Sequence, residues 1–185
     1  MCGISLALVH EQTAVLGVII LPYLPRRYWA ATGLGAWRDG QPIRPATSAS
    51  VRDAMIAVGD FTLGRGDPER DRVLLALVAR LAQRAQRTRM IGTSAVDLVL
   101  VADGGFDASV TLANRSWDMA AGVVIAREAG ARVTDLDGSA HTLRSRTTIV
   151  AAPGLHEELL GLVRDTVEGG RYDPATWSAA ATEPR

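Results

Sequence analysis

Two apolar runs near the start of the chain, residues 4–9 and 14–21, are separated only by the polar stretch His10-Glu11-Gln12-Thr13. Runs this short, rich in Val, Ile and Leu, suit strands, and so short a link joins them as an antiparallel hairpin. Nearly every residue in both runs is apolar. A strand with one wet face alternates instead, so the pattern predicts a hairpin covered on both faces. Residues 27–31 follow as a third strand, Asp39-Gly40 marks a turn, and residues 54–58 read as a fourth strand of the same antiparallel meander.

From Asp67 the hydrophobic period lengthens. Asp67-Pro68 has the form of a helix start, a carboxylate at the cap and proline at the first helical position. Val73, Leu74, Leu77, Val78 and Leu81 then share one face, with Arg72, Arg80, Arg84 and Arg87 turned outward. A short strand is expected at residues 89–91. Ser94 reads as the cap of a second helix reaching Ala102, closed by Gly104-Gly105. Residues 107–112 form a strand, residues 118–129 a helix stopped by Gly130, residues 132–136 and 147–152 two more strands. Pro153 opens a last helix ending near Val167. The fold class expected is α/β: an antiparallel sheet in the first third, then an αβα portion, as one domain over residues 1–168. Residues 169–185, with two Gly, two Pro and a run of Ala, read as a frayed tail.

Charge and cysteine content exclude several functions. Basic and acidic side chains balance at 20 each, which removes the electrostatic basis for nucleic acid or an anionic membrane as partner. All the basic residues are arginine, so neither a Schiff-base lysine nor a P-loop lysine is available. The single cysteine, Cys2, forms no internal disulfide and no Cys-cluster zinc site. No segment reads as a leader or a membrane span, and a cytoplasmic protein is the expectation. His10, His141 and His156 lack ligand spacing and read as surface or satisfied histidines. Gly33-Leu34-Gly35 has Arg38 in place of a dinucleotide fingerprint's third glycine. Arg65-Gly66-Asp67 is explained by a turn at a helix start.

The segment with chemical content is Trp117-Asp118-Met119-Ala120-Ala121-Gly122, continuing through Glu128-Ala129-Gly130 to Asp135-Leu136-Asp137-Gly138. Asp118 falls on the first turn of a helix whose small residues permit close packing. A carboxylate there caps exposed amides, or holds a divalent cation beside a phosphate. Local chemistry leaves both readings open.

This stretch resembles the C-terminal signature of the inositol monophosphatase family, a Trp-Asp pair followed by small residues and Glu-Ala-Gly. Gly92-Thr93-Ser94-Ala95-Val96-Asp97 resembles that family's Gly-Ser/Thr-x-Ala segment, and Gly33-Leu34-Gly35-Ala36-Trp37-Arg38-Asp39-Gly40 its glycine-rich turn. The likeness runs from about Gly3 to Val167. It implies the family's layered α/β sandwich and a magnesium-dependent phosphatase acting on a small phosphorylated metabolite. Asp118 would be a magnesium ligand, and Gly92, Thr93 and Ser94 would meet the substrate phosphoester. Thr111 stands where inositol-selective members carry a glutamate, so the resemblance does not carry inositol selectivity. Arg115, beside the site, is a candidate for a second anionic group of the ligand.

The family's Asp-Pro-x-Asp-Gly-Thr motif and its earlier Glu-Glu segment, which supply the other metal ligands, are not in this sequence. Both belong upstream of the residue aligned with Gly3, as do helices that cover one face of the sheet. The expectation is a chain whose start lies late, by a misplaced initiation codon or real loss, with weak magnesium binding and little or no phosphatase activity. Its apolar hairpin would then lack a cover and drive aggregation or a homodimer. The alternative is a degenerate, non-catalytic binding or assembly module. A third reading keeps the enzyme but changes the substrate to a nucleotide 3′-phosphate, a fructose bisphosphate or histidinol phosphate.

Overall fold

The computed structural model describes residues 2–61 and 68–169. It contains two five-stranded sheets. The first is a meander in the order β1 (Ile4–His10), β2 (Thr13–Leu21), β3 (Arg26–Ala31), β4 (Ala36–Arg38) and β5 (Gln41–Pro42). The second has the order β7-β6-β8-β10-β9, built from β6 (Met55–Val58), β7 (Arg87–Arg89), β8 (Ala108–Thr111), β9 (Arg132–Thr134) and β10 (Thr148–Ala151). Four helices complete the fold: α1 (Pro68–Arg84), α2 (Ser94–Ala102), α3 (Ser116–Ala129) and α4 (His156–Gly169). This is the expected layered α/β architecture.

Several expectations are corrected in detail. Residues 54–58 do not extend the meander: β6 joins the second sheet, where it pairs parallel with both β7 and β8. The meander instead gains β4 and β5, too short to stand out as periodic runs. Ser94 is the first helical residue of α2, and Thr93 is its N-cap. Pro153 lies in a turn, and α4 begins at His156 and ends at Gly169, so Gly169 is helical. Asp67, the Arg65-Gly66-Asp67 tripeptide and residues 170–185 lie outside the described residues.

Each layer follows from its side chains. The second sheet packs one face on α1 and α4, where Leu74, Leu77 and Leu81 meet Leu159 and Val163 over Ile56, Val110 and Ile149. Its other face meets α2 and α3, which pack in turn on the first sheet in a core containing Ile19, Tyr28, Ala57, Val99, Ile125 and Val150. Strand register explains why α3 approaches the first sheet so closely. Ala7 pairs with Gly17, Gly17 with Ala30, and Ala30 with Ala36, giving a transverse row of small residues across four strands. A Cβ at Gly17 would stand 2.8 Å from the Ala121 Cα of α3, and one at Gly122 would stand 2.5 Å from Leu98 Cδ1 of α2. The missing side chains therefore fix how α3 sits on β2 and α2.

The opposite face of the first sheet is open. Leu6, Val18, Trp29 and Trp37 share it in register, with the two indoles stacked at 5.9 Å. Ile4, Leu6 and Leu8 are 61%, 65% and 58% exposed, so the hairpin is covered on one face only. An apolar surface of this kind favours association over solvation. Among the described residues no helix is long and apolar enough to cross a membrane.

Two outcomes follow. The purified chain binds an apolar fluorescent dye and self-associates on gel filtration, and Leu6→Glu reduces both; a monodisperse monomer that leaves the dye dark contradicts this. Gly17→Ala overpacks the α3 contact and costs about 1–3 kcal/mol in equilibrium urea unfolding; an unchanged midpoint contradicts the close-approach account.

A candidate phosphoryl site at the start of helix α2

The loop from β7 into α2 makes a sharp left-handed step at Gly92, where φ is +87°. Only glycine fits without strain, and a Cβ there would also stand 2.8 Å from Asp60 Oδ2. The chain then enters α2 through Thr93, which has extended backbone angles but no side-chain capping bond. The amides of Val96 and Asp97 both bond to the Thr93 carbonyl, while the amides at the very start of the helix carry no side-chain cap. Uncapped amides and the helix dipole make this end of α2 attractive to an anion.

A cavity of about 260 Å³ opens at this point. Gly92, Thr93, Ser94 and Thr111 all line it, so four of the five residues singled out in the sequence share one site. Thr111, the last residue of β8, is buried. Three further charged groups line the cavity: Asp60 after β6, Arg70 on α1 and Asp97 on the first turn of α2. Sequence reading gave these no role, although Asp97 ends the Gly92-to-Asp97 segment. Arg70 had a usable signal, because it lies three and four residues before Val73 and Leu74, on the apolar face of α1. Asp97 had one too, as the one charged side chain of the nine-residue α2.

Asp97 is 2% exposed and its Oδ1 has no hydrogen-bond partner. Burial, reinforced by the nearby Asp60 charge, pushes its carboxyl up to about 7. Asp118, the fifth residue, lies outside the cavity lining, solvent-exposed on the first turn of α3. Partial desolvation raises its carboxyl and the Arg115 guanidinium opposes that rise. Arg115 lies over the Trp117 ring at 5.2 Å and holds the N-cap position of α3 without a side-chain capping bond.

Among the described residues no three His, Cys, Asp or Glu side chains gather closely enough to hold a metal ion. Magnesium needs a near-octahedral oxygen shell, and one carboxylate beside a guanidinium is a poor donor set for it. The histidines are also structural or peripheral. His141 Nε2 lies 2.9 Å from Thr148 Oγ1, and burial lowers its pKa to about 4, so the ring is neutral at pH 7. His156 Nε2 lies 3.0 Å from Thr134 Oγ1, and His10 is exposed. The Gly33-Leu34-Gly35 turn is already occupied: its Gly33 and Gly35 amides donate to the two carboxylate oxygens of Glu128, each at 3.0 Å.

Asp97 gives a pH test. Its folded pKa lies above the ordinary carboxylate value, so the native state holds a proton that the unfolded chain releases. The associated stability is present below about pH 4 and is lost as pH rises through about 7. Relative to Asp97→Asn, the wild-type chain loses up to roughly 4 kcal/mol across that window in pH-dependent urea unfolding. Parallel profiles for the two proteins contradict the assignment.

The comparisons with known proteins agree with this architecture. The model of the inositol monophosphatase family matches residues 1–168. The chain is 34% identical over 166 residues to inositol-1-monophosphatase ImpA of Mycolicibacterium smegmatis, covering 90% of this chain and 60% of that protein. It is 32% identical over 171 residues to the fructose-1,6-bisphosphatase/inositol-1-monophosphatase of Thermotoga maritima, covering 91% of this chain and 63% of that one. Among solved structures, the Thermotoga maritima IMPase superposes with a TM-score of 0.82 at 30% identity, over 91% of this chain and 63% of that chain. The chain thus spans about 60% of the length of the curated relatives it matches. On sequence and on fold, this chain belongs to the inositol monophosphatase family.

Proposed function

We propose that the chain binds the phosphoryl group of a small phosphorylated alcohol at the opening of α2 and that by itself it hydrolyses the ester slowly or not at all. The observation that carries this reading is the cavity that brings Gly92, Thr93, Ser94 and Thr111 together beside uncapped helix amides. In this arrangement the first-turn amides and the Thr93 and Ser94 hydroxyls donate to phosphoryl oxygens, and Thr111 borders the organic portion. The named activities of the relatives, inositol-1-monophosphatase and fructose-1,6-bisphosphatase/inositol-1-monophosphatase, fit a ligand of that class. Thr111 is short and uncharged, so it cannot match a carboxylate in accepting hydrogen bonds from ring hydroxyls, and the reading stops short of inositol itself.

Hydrolysis needs a nucleophilic water and stabilisation of the leaving oxygen, which magnesium supplies in two-metal phosphatases. Asp118 is the residue of this chain that would contribute to such a centre, and binding through it alone is weak. The non-catalytic alternative, a binding or assembly module, draws on the same observation: the opening of α2 has no side-chain cap, while among the described residues no three metal-ligating side chains gather. A cytoplasmic setting accords with the lone, exposed thiol of Cys2.

The test combines binding with turnover. Inositol 1-phosphate and inorganic phosphate compete for one site on the chain, while release of phosphate from inositol 1-phosphate or a chromogenic ester in millimolar magnesium stays at background. Gly92→Ala forces a left-handed angle on a side chain, at about 1–3 kcal/mol, and weakens ligand binding about tenfold or more. Brisk turnover, or ligand binding untouched by Gly92→Ala, contradicts the proposal.

A further inference from the structure

The cavity beside α2 holds a guanidinium with incomplete hydrogen bonding. Arg70 is 7% exposed, and both of its bonds leave from Nη2, to the Asp60 carbonyl and to the Asp71 carboxylate, each at 2.9 Å. Its Nε is buried and has no partner. Arginine stays charged and offers five donors in a fixed plane, and a buried donor without an acceptor is costly. The uncapped opening of α2 borders the same cavity. Asp60 links the two sides: its carbonyl accepts from Arg70, and its carboxylate lies against Gly92.

We infer that this cavity is an oxyanion site that works without a metal ion, in which a phosphoryl group lies between the first turn of α2 and the Arg70 guanidinium. The inference rests on the phosphoryl reading given above. It adds a residue from α1 as the source of positive charge and makes magnesium unnecessary for binding. Arg70 lines the cavity, and a guanidinium donating to an oxyanion forms the strong, charge-assisted kind of hydrogen bond.

Two carboxyl groups oppose the anion. The charged side chains that line the cavity among the described residues are Asp60, Arg70 and Asp97. Asp60 is exposed and screened by solvent. Asp97 is buried with an unpartnered Oδ1, so its ionised form would sit unscreened beside the oxyanion. Protonated, it carries no charge and can donate. Burial and Asp60 keep that proton in place up to about pH 7. Anion affinity therefore falls as pH rises past neutrality, through a group that is not itself part of the ligand.

The experiment is calorimetric titration of the full chain with sodium sulfate, whose charge is constant over the range used, first in EDTA and then with excess magnesium. The result expected is saturable binding at one site in EDTA, changed by magnesium less than about twofold. Arg70→Gln weakens it about tenfold or more, and Arg70→Lys, which keeps the charge but loses the planar fork, lies between. Wild-type affinity falls about tenfold between about pH 6.5 and pH 8.5, and Asp97→Asn flattens that profile. Circular dichroism melts confirm that each variant is folded, and the EDTA and magnesium arms on the wild-type chain need no variant. Binding that appears only with magnesium overturns this inference and leaves the phosphoryl reading standing. Equal affinity for Arg70→Gln and wild type also overturns it. No sulfate binding under either condition overturns both.

Discussion

The close contact between α3 and the first sheet governs the rest of the structure. It exists because Gly17 and Gly122 have no side chains to hold the surfaces apart. Ala7, Gly17, Ala30 and Ala36 form a shallow row across four strands, and the Ala121 backbone lies directly over Gly17. On its other side α3 lets Leu98 of α2 approach Gly122. The far end of α2 is tied back to the sheet at Asp103, which accepts from the Tyr28 hydroxyl at 3.1 Å and the Arg38 guanidinium at 2.5 Å. Close packing on one flank and a charged tether at the C-terminal end set where the opening of α2 stands. The site is a consequence of how the two central helices are packed.

Two glycine-bearing turns in this fold make an instructive contrast. Gly33 and Gly35 both have positive φ, and their amides converge on the carboxylate of Glu128, so an internal anion satisfies them. The turn at Gly92 also has positive φ, but the helix it introduces has no capping side chain. Asp60 places its carboxylate against Gly92 at that turn. The first turn is satisfied from within the fold, and the second has no side-chain cap. A buried arginine with a spare donor and a buried carboxyl that resists ionisation are unusual neighbours for a purely structural loop, since each is costly unless something else occupies the space.

Much of this was legible in the sequence. The β1–β2 hairpin, α1, α3 and the Gly92-Thr93-Ser94 loop declare themselves through periodicity, capping pattern and the family-like motifs, and Thr111 falls in the same cavity as that loop. The assignment of β6 to the second sheet was not legible, because residues 54–58 look alike in a meander and in a parallel pair; only the partners β7 and β8 decide it. The apolar character of β1 and β2 pointed to cover on two faces, and the structure supplies it on one. Asp60, Arg70 and Asp97 meet only through tertiary packing, coming from a strand end, a helix face and a helix start. A chain read residue by residue shows an arginine and two aspartates, with nothing to bring them together. Asp118, the conspicuous residue of the Trp-Asp motif, stands outside the lining of that cavity.

The account stands or falls on where a phosphoryl group goes. Nitrogen-15 NMR titration of the full chain with inorganic phosphate in metal-free buffer reads this residue by residue. The account predicts the earliest and largest shifts at the amides of Thr93, Ser94 and Ala95 and at the Arg70 guanidinium. Shifts confined to the separate cavity around Arg144, Arg146 and Arg164, or to the neighbourhood of Asp118, would contradict it.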